Sequence, residues 1–424
     1  MSDINKKHFK HMLVVSDGLK SRYLKEKIFR ASGISALIVA LLFLAIIVFS
    51  ISTTGYKAFA QTYIKTEIIL EGAVDSSNIE DINYLGLIRD SLRRDFPELS
   101  TRAELADLYR MVSIGAQYEL EQYLLDNLDN LDTAFAFDVL ATSDVDMVAK
   151  SYFDDTQEQR GRLTERQYQY YLSLLNGNRI DKKFNTNLFT RGDSSNPEMA
   201  GILGAAMGSF FVLAITFFLS FPIGVGTAIY LEEFASKNRF NDFIEVNINN
   251  LAAVPSVIFG LLGLSVFINF FNFPRSAPLV GGLVLTLMTL PVVIIASRAA
   301  ITSVPPSIRE AALGLGASKL RVISDHIIPL ALPGMLTGAI IGMARALGES
   351  APLLMIGMVA FITEVPNSLL SPATTLPIQV YLWADSPERG FVERTSAAII
   401  VLLVFLVIMN LLAVYLRKRF EKKW

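Results

Sequence analysis

An arginine and a glutamate stand four residues apart near the end of a long apolar stretch of this chain. Arg345 and Glu349 follow Gly334, Gly338 and Gly342, which are themselves spaced by four. At about 100° per residue these positions share one helical face. Because glycines allow a neighbouring helix to approach closely, this face is predicted to be a glycine groove that leads to an ion pair.

Two interpretations of the pair remain open from the residues alone. An ionisable side chain inside an apolar span is unfavourable unless it is paired, and it normally faces the bundle interior or a water-filled path. The planar fork of Arg345 suits a tetrahedral oxyanion, and Glu349 could hold that fork in position and limit how tightly the anion is retained. The same pair could equally be a structural ion pair that fixes helix packing. The Arg345–Glu349 pair lies about 24–30 Å along the helix from Pro329, and this distance favours a position in the outer half of a membrane.

A short amphipathic stretch precedes this span and predicts a helix of about two turns. Ser307 and Glu310 have the spacing of a capping box, and Gly314 and Gly316 predict the end of the helix. Its apolar residues recur at i, i+3, i+4 and i+7 and form one stripe: Ile308, Ala311, Ala312 and Leu315. Since so short a helix needs a packing partner, the pattern favours a docking role over a plain connection.

Several kinds of catalytic site are excluded. The chain has no cysteine, and its histidines, His8, His11 and His326, are scattered, so no metal site is expected. No nucleophile constellation is found. No GxxxxGK[ST] phosphate loop is present either, so the chain is not expected to be an enzyme or to hydrolyse ATP itself.

The surrounding elements are predicted to be membrane spans, because 52% of the residues are hydrophobic and several apolar windows reach span length. Basic residues before the first span and after the last place both termini in the cytoplasm, and they place the acidic Glu232–Glu233 step in a solvated cytoplasmic turn. The six expected spans cover residues 31–53, 199–227, 251–271, 279–299, 327–350 and 395–416. The expected divisions are a cytoplasmic segment 1–30, the first span, a soluble domain 55–195, a transmembrane domain 199–416 and a basic tail 417–424.

Residues 55–195 differ in composition, since 24 acidic residues outnumber 15 basic ones and no span interrupts them. Apolar periodicity predicts a mainly helical domain outside the membrane with a structural or docking role. Two spans that flank such a domain also describe a sensor, but four further spans follow where a sensor would carry its signalling region. An ion-coupled secondary transporter is the other alternative, and it would have no use for a docking helix.

The loop resembles the cytoplasmic coupling loop of binding-protein-dependent ABC importer permeases, on Glu310-Ala311-Ala312, Gly316 and the Ile327-Ile328-Pro329 run. This resemblance implies an all-α polytopic membrane protein with six helices of the type I importer fold and a soluble domain inserted after the first. It also implies that a loop of about residues 300–326 meets a separate ATPase. The residues it assigns to that coupling are Glu310, Ala311, Ala312, Gly316, Ala317 and Pro329.

Three further segments are similar to phosphate importer permeases: ARALGESAP at 344–352, LAAVPSVIFGLLG at 251–263 and GVGTAIYLE at 224–232. The segment LWADSPERGF at 382–391 favours the PstA type over its PstC-type partner. The resemblance implies a phosphate pathway lined by Arg345, Glu349, Gly342 and Gly338 and shared with a PstC-type permease. It implies a PstB-type ATPase dimer that uses ATP and Mg²⁺, a periplasmic PstS-type phosphate-binding protein, contact with inner-membrane lipid and no nucleic acid. A permease of the same fold for another oxyanion or small solute is the alternative.

Overall fold

The computed structural model describes residues 3–70, 82–127, 133–150, 161–236, 238–359 and 361–420. The helices are α1 (Asp3–Gly55), α2 (Tyr84–Asp95), α3 (Arg102–Tyr109), α4 (Ala116–Asp126), α5 (Ser143–Ala149), α6 (Glu165–Asn176), α7 (Asn187–Thr190), α8 (Leu203–Ile229), α9 (Arg239–Ala252), α10 (Ser256–Leu262), α11 (Pro278–Thr302), α12 (Pro306–Gly314), α13 (Lys319–Arg321), α14 (Ile328–Gly348), α15 (Ala351–Met355), α16 (Leu376–Ala384) and α17 (Gly390–Phe420). The strands are β1 (Ala60–Ile69), β2 (Ala134–Leu140) and β3 (Ile180–Phe184). The chain divides into two compact units, Met1–Thr53 and Thr54–Trp424.

The first unit is a single helix. Its side chains from Arg22 to Phe49 are exposed, and the apolar part of α1 is long enough to cross a membrane. Expected span 31–53 lies within it.

Among the described residues, the other helices long and apolar enough to span are α11, α17, α8 with its π-helical extension to Phe234, and the continuous helix Lys319–Gly348 that contains α14. With the first helix these make five, and a bent pair brings the number to six. The expected spans 199–227, 279–299, 327–350 and 395–416 correspond to these helices within a few residues.

The expected third span, 251–271, corresponds to the second helix of a bent pair and to the bend before it. Arg239–Ala252 and Ser256–Phe270 meet at a bend of 106°. The break falls at Pro255, since proline disfavours a helical conformation in the residue before it and has no N–H to donate. The segment Ser256–Phe270 is about 22 Å long, shorter than the ~30 Å hydrocarbon layer.

Helix α11 lies at the centre of the membrane helices and packs against α8, α14 and the bent pair. Its buried side chains Val284 and Leu285 join Leu353 and Ile356 in one apolar core. Because this helix is buried on most sides, its sequence shows little amphipathic pattern, as expected for a central span.

The soluble domain contains an antiparallel sheet in the order β2-β1-β3. Ile64 of β1 lies opposite Val139 of β2 and opposite Ile180 of β3. The helices α2–α6 pack around the sheet, and the domain core includes Ile88 and Leu108. The helical content was predicted but the sheet was not, because the strands that pair with β1 lie far from it in the sequence.

The soluble domain is joined to the membrane helices by buried polar contacts. The Lys150 ammonium pairs with the carboxylate of Glu393 on α17, with a distance of 2.9 Å between Nζ and Oε1. Trp383 Nε1 donates to Asp193 Oδ1 at 2.8 Å, and Gln61 Nε2 donates to the Glu198 carbonyl oxygen at 2.7 Å. We call this set of contacts around Lys150, Glu393, Asp193 and Trp383 the domain junction.

Candidate functional site

The glycine groove of α14 lies against α11. An added Cβ would lie 2.7 Å from the Ala300 Cβ at Gly334 and 2.8 Å from the Thr289 Cγ2 at Gly342, and at Gly338 it would overlap the Cβ of Ala296. These separations are shorter than carbon–carbon contact, so the glycines are required for the two helices to approach this closely. The predicted close approach of a neighbouring helix is confirmed, and the neighbour is α11.

Arg345 and Glu349 lie at the end of α14. The helix ends at Gly348, one residue before Glu349 and two before the expected end of the span at 350. Arg345 Nε is 3.5 Å from Glu349 Oε1, and the two side chains are 49% and 21% exposed. Among the described residues, Glu349 is the carboxylate paired with Arg345. The guanidinium therefore keeps donors available for another acceptor.

The loop that precedes α14 contains α12, and the predicted capping box is wrong. The helix starts at Pro306, and Ser307 lies inside its first turn without a side-chain cap. Proline at the first helical position supplies a helical φ and lacks the N–H that a cap would satisfy, which explains the earlier start.

The end of α12 was predicted correctly. Gly316 has a φ of +81°, its N–H donates to the Leu313 carbonyl at 2.9 Å, and the Ala317 N–H donates to the Ala312 carbonyl at 3.1 Å. This is a Schellman motif, which needs glycine at the left-handed position.

The apolar stripe of α12 is split between two directions. Ala312 is buried and Ile308 packs beside it on the core formed by Ile301, Val304 and Val322. Leu315, by contrast, is 90% exposed, because it is the last residue before the turn at Gly316 and points away from the core. The outer surface of the loop is formed by exposed residues: Glu310, Ala311, Leu313, Leu315 and Leu320. Pro329, in the first turn of α14, is partly buried.

Two ion-pair clusters lie at this end of the spans, one of them on the loop itself, and the sequence analysis missed them. Arg309 pairs with Glu233 at 3.0 Å and also donates to the carbonyls of Ile301 and Val304. Arg298 of α11 pairs with Glu232 at 2.6 Å and with Glu245 of α9 at 3.0 Å. The expectation that Glu232 and Glu233 form a solvated turn is therefore wrong. The sequence signal for these pairs was Arg298, which stands at the end of an apolar run and faces the Glu232–Glu233 step.

No group of three or more potential metal ligands occurs within the described ranges of the chain. What this region offers chemically is an arginine fork at one end of α14 and an exposed, largely apolar surface on the loop that precedes the other end.

Comparison with known families gives two matches. Residues 220–422 match the family described as binding-protein-dependent transport system inner membrane component. Residues 16–159 match a domain of unknown function, DUF3333. The second match includes most of the soluble domain.

Three curated relatives each match about half of the chain. The chain is 32% identical over 240 residues to a probable ABC transporter permease protein, YqgI, of Bacillus subtilis. The matched region covers 53% of this chain and 80% of the relative. It is 31% identical over 229 residues to the phosphate transport system permease protein PstA of Haemophilus influenzae, covering 53% and 78%. It is 30% identical over 234 residues to the permease protein PstC of the same organism, covering 50% and 73%.

Proposed function

Because the chain belongs to the family of binding-protein-dependent transport system inner membrane components and is of PstA type, we propose that it forms part of an inorganic phosphate importer. An ABC transporter permease of this family is a multi-pass inner-membrane subunit. Its role in the proposed importer is to provide the pathway and not to hydrolyse ATP.

The proposed assembly contains four kinds of subunit. A PstC-type permease shares the pathway, a PstB-type ATPase dimer binds from the cytoplasm with ATP and Mg²⁺, and a periplasmic PstS-type protein delivers phosphate. Similarity to both PstA and PstC relatives supports a pair of related permeases. Both termini are cytoplasmic in this proposal, and residues 55–195 are periplasmic.

The observation that carries the phosphate proposal is the half-exposed guanidinium of Arg345 at the end of α14. A planar fork donates two hydrogen bonds to two oxygens of a tetrahedral anion, which a lysine ammonium does not reproduce. The Glu349 carboxylate neutralises part of the positive charge of Arg345, so phosphate is bound weakly enough to be released. Gly338 and Gly342 contribute by holding α14 against α11, which fixes where the fork lies.

Coupling is proposed to run through the loop formed by α12 and the turn at Gly316. Its exposed surface, from Glu310 and Ala311 to Leu315, is the contact for the ATPase. Ala312 and Ala317 face inward, and with the ion pair of Arg309 and Glu233 they attach the loop to the spans. Pro329 starts the span that carries Arg345, so displacement of the loop acts on the helix of the fork.

The test is uptake of labelled phosphate at micromolar concentration in cells that lack the chain and in cells given it back. We expect the wild type to restore uptake that excess sulfate or a phosphonate does not suppress. We expect Arg345→Ala to abolish uptake at normal protein level, and Arg345→Lys to raise the apparent Michaelis constant by about tenfold, since one bidentate contact is lost. Arg275→Lys is the matched control, because Arg275 is exposed in the connection before α11.

Equal uptake by Arg345→Lys and Arg275→Lys would refute the role of the fork. Suppression by sulfate or a phosphonate, or uptake of one of them in place of phosphate, would assign the path to another oxyanion.

A further inference from the structure

A cleft of about 690 Å³ opens in the soluble domain, away from α14. One wall comes from α2 and α3, another from the turn after α3, and a third from the segment that precedes α8. Its charged and polar lining residues include Arg89, Ser100, Arg102, Arg110, Asn196 and Glu198. Apolar surface is contributed by Leu105, Val112 and Ile114.

The lining of the cleft has the opposite charge to the domain around it. Residues 55–195 are acidic overall, yet three arginines, Arg89, Arg102 and Arg110, line this one cavity. Within the described ranges none of the three forms an ion pair with a carboxylate. Six other cations of the domain are paired: Lys65, Lys150, Arg166, Arg179, Lys183 and Arg191.

All three arginines are exposed, and one of them lies over an aromatic ring. The guanidinium of Arg89 lies 5.4 Å from the centre of the Tyr109 ring, an arrangement that stabilises the cation and orients it. Arg110 is the C-cap of α3, and Arg102 is the first residue of the same helix. The cations therefore come from both ends of α3 and from the neighbouring α2.

Glu198 is the one carboxylate among the described residues that line the cleft. Its Oε2 accepts the Ser143 N–H at 3.2 Å, so the carboxyl is engaged by the domain itself. Burial raises the pKa of this carboxyl. Three arginines against one carboxylate give the lining an excess of positive charge.

We propose that this cleft binds the phosphate group of a small organic molecule. Arginine forks match phosphate oxygens, and three of them suit a doubly charged group better than a single carboxylate. The volume falls within the range of small-molecule sites and exceeds what a phosphate ion alone fills, and the apolar residues provide contacts for an organic body. The phosphate belongs either to a soluble ester or to a lipid headgroup, since Glu198 lies shortly before α8 begins at Leu203.

The inference rests on the soluble domain alone and does not depend on which solute the spans carry. To keep the two sites separate, every protein in the test carries Arg345→Gln. The full chain is purified in detergent, and glycerol 3-phosphate is titrated by calorimetry, with succinate as the competing dianion. The test variant is Arg102→Gln with Arg110→Gln, and the matched control is Arg93→Gln, an exposed arginine of α2 outside the cleft.

We expect saturable binding of glycerol 3-phosphate that is at least about tenfold weaker in the double variant and unchanged in the control. A second arm places the same proteins in phosphatidylcholine nanodiscs with and without phosphatidylglycerol and measures the unfolding midpoint. A rise with phosphatidylglycerol that the double variant loses, without binding of the soluble ester, assigns the phosphate to a lipid. Equal behaviour of all variants in both arms, or competition by succinate at equal concentration, would overturn the proposal.

Discussion

Lys150→Met removes the cation from the centre of the domain junction. The Lys150 ammonium lies between Asp146 of α5 and Glu393 of α17, and its side chain is 4% exposed. Asp146 is also fixed from the other side, because the Thr62 N–H donates to its Oδ1 at 2.9 Å. The two carboxylates cannot turn away to water, so the substitution leaves two negative charges facing each other out of solvent.

Breaking a buried pair by removing one partner costs about 3–5 kcal/mol. For a domain of this size such a loss lowers the unfolding midpoint by on the order of 10 °C. Lys182→Met is the matched control, since Lys182 is exposed on β3. Its effect should stay within about 0.5 kcal/mol.

Tryptophan fluorescence reports on the junction directly. Trp383 is 3% exposed, its Nε1 donates to Asp193, and its ring lies 5.8 Å from that of Phe391, two residues before Glu393. The sequence contains only one other tryptophan, Trp424, so Trp424→Phe makes the signal specific. Thermal unfolding in detergent, followed by the shift of the emission maximum, measures the loss.

A partner substitution tests whether charge is the cause. Adding Glu393→Gln to Lys150→Met removes one of the two facing charges and should recover part of the lost stability, so the effects should be non-additive. If Lys150→Met unfolds at the same temperature as Lys182→Met, the junction is not held by this cluster and the reasoning fails.

Three other predictions concern backbone conformation, helix packing and pH. Gly316→Ala should weaken co-purification of the proposed ATPase, while Gly314→Ala should not. An added Cβ meets no atom at either position, but only Gly316 has a positive φ. That conformation is unfavourable for alanine by about 1–2 kcal/mol. Gly338→Ala should lower the free energy of unfolding by about 1–3 kcal/mol through overpacking, and with it the thermal midpoint. Adding Ala296→Gly in the same chain should restore most of the loss. An unchanged midpoint in Gly338→Ala would contradict the contact with α11. Burial raises the pKa of Glu198, so this carboxyl binds a proton more readily in the folded protein than in the unfolded chain. Protonation of Glu198 therefore contributes fully to stability below the unfolded pKa, and the contribution is lost as pH rises through the folded pKa. Midpoints measured from acid to neutral pH should fall less steeply in Glu198→Gln, and an identical slope would refute the assignment.

The elements that sequence alone predicted are those whose signals are local. The apolar windows gave the spans, the fourfold glycine spacing gave the face of α14 that meets another helix, and Gly316 gave the left-handed end of α12. Each depends on residues within a few turns of one another, whose conformations are limited by propensity, periodicity and backbone sterics.

Local patterns failed where two of them competed. Ser307 and Glu310 have capping-box spacing, but Pro306 is better suited to begin the helix. The apolar window at 251–271 is long enough for a span, yet Pro255 marks a bend near its start, so the helix within it begins only at Ser256.

Tertiary structure alone decided which distant residues meet. Lys150 and Glu393 are 243 residues apart, and no spacing in the sequence announces their pair. The same holds for Arg309 with Glu233, and for the cleft where Arg89 of α2 joins Arg102 and Arg110 from the two ends of α3. Charge pairing depends on distance in space and on removal from water, and neither is determined until the chain has folded.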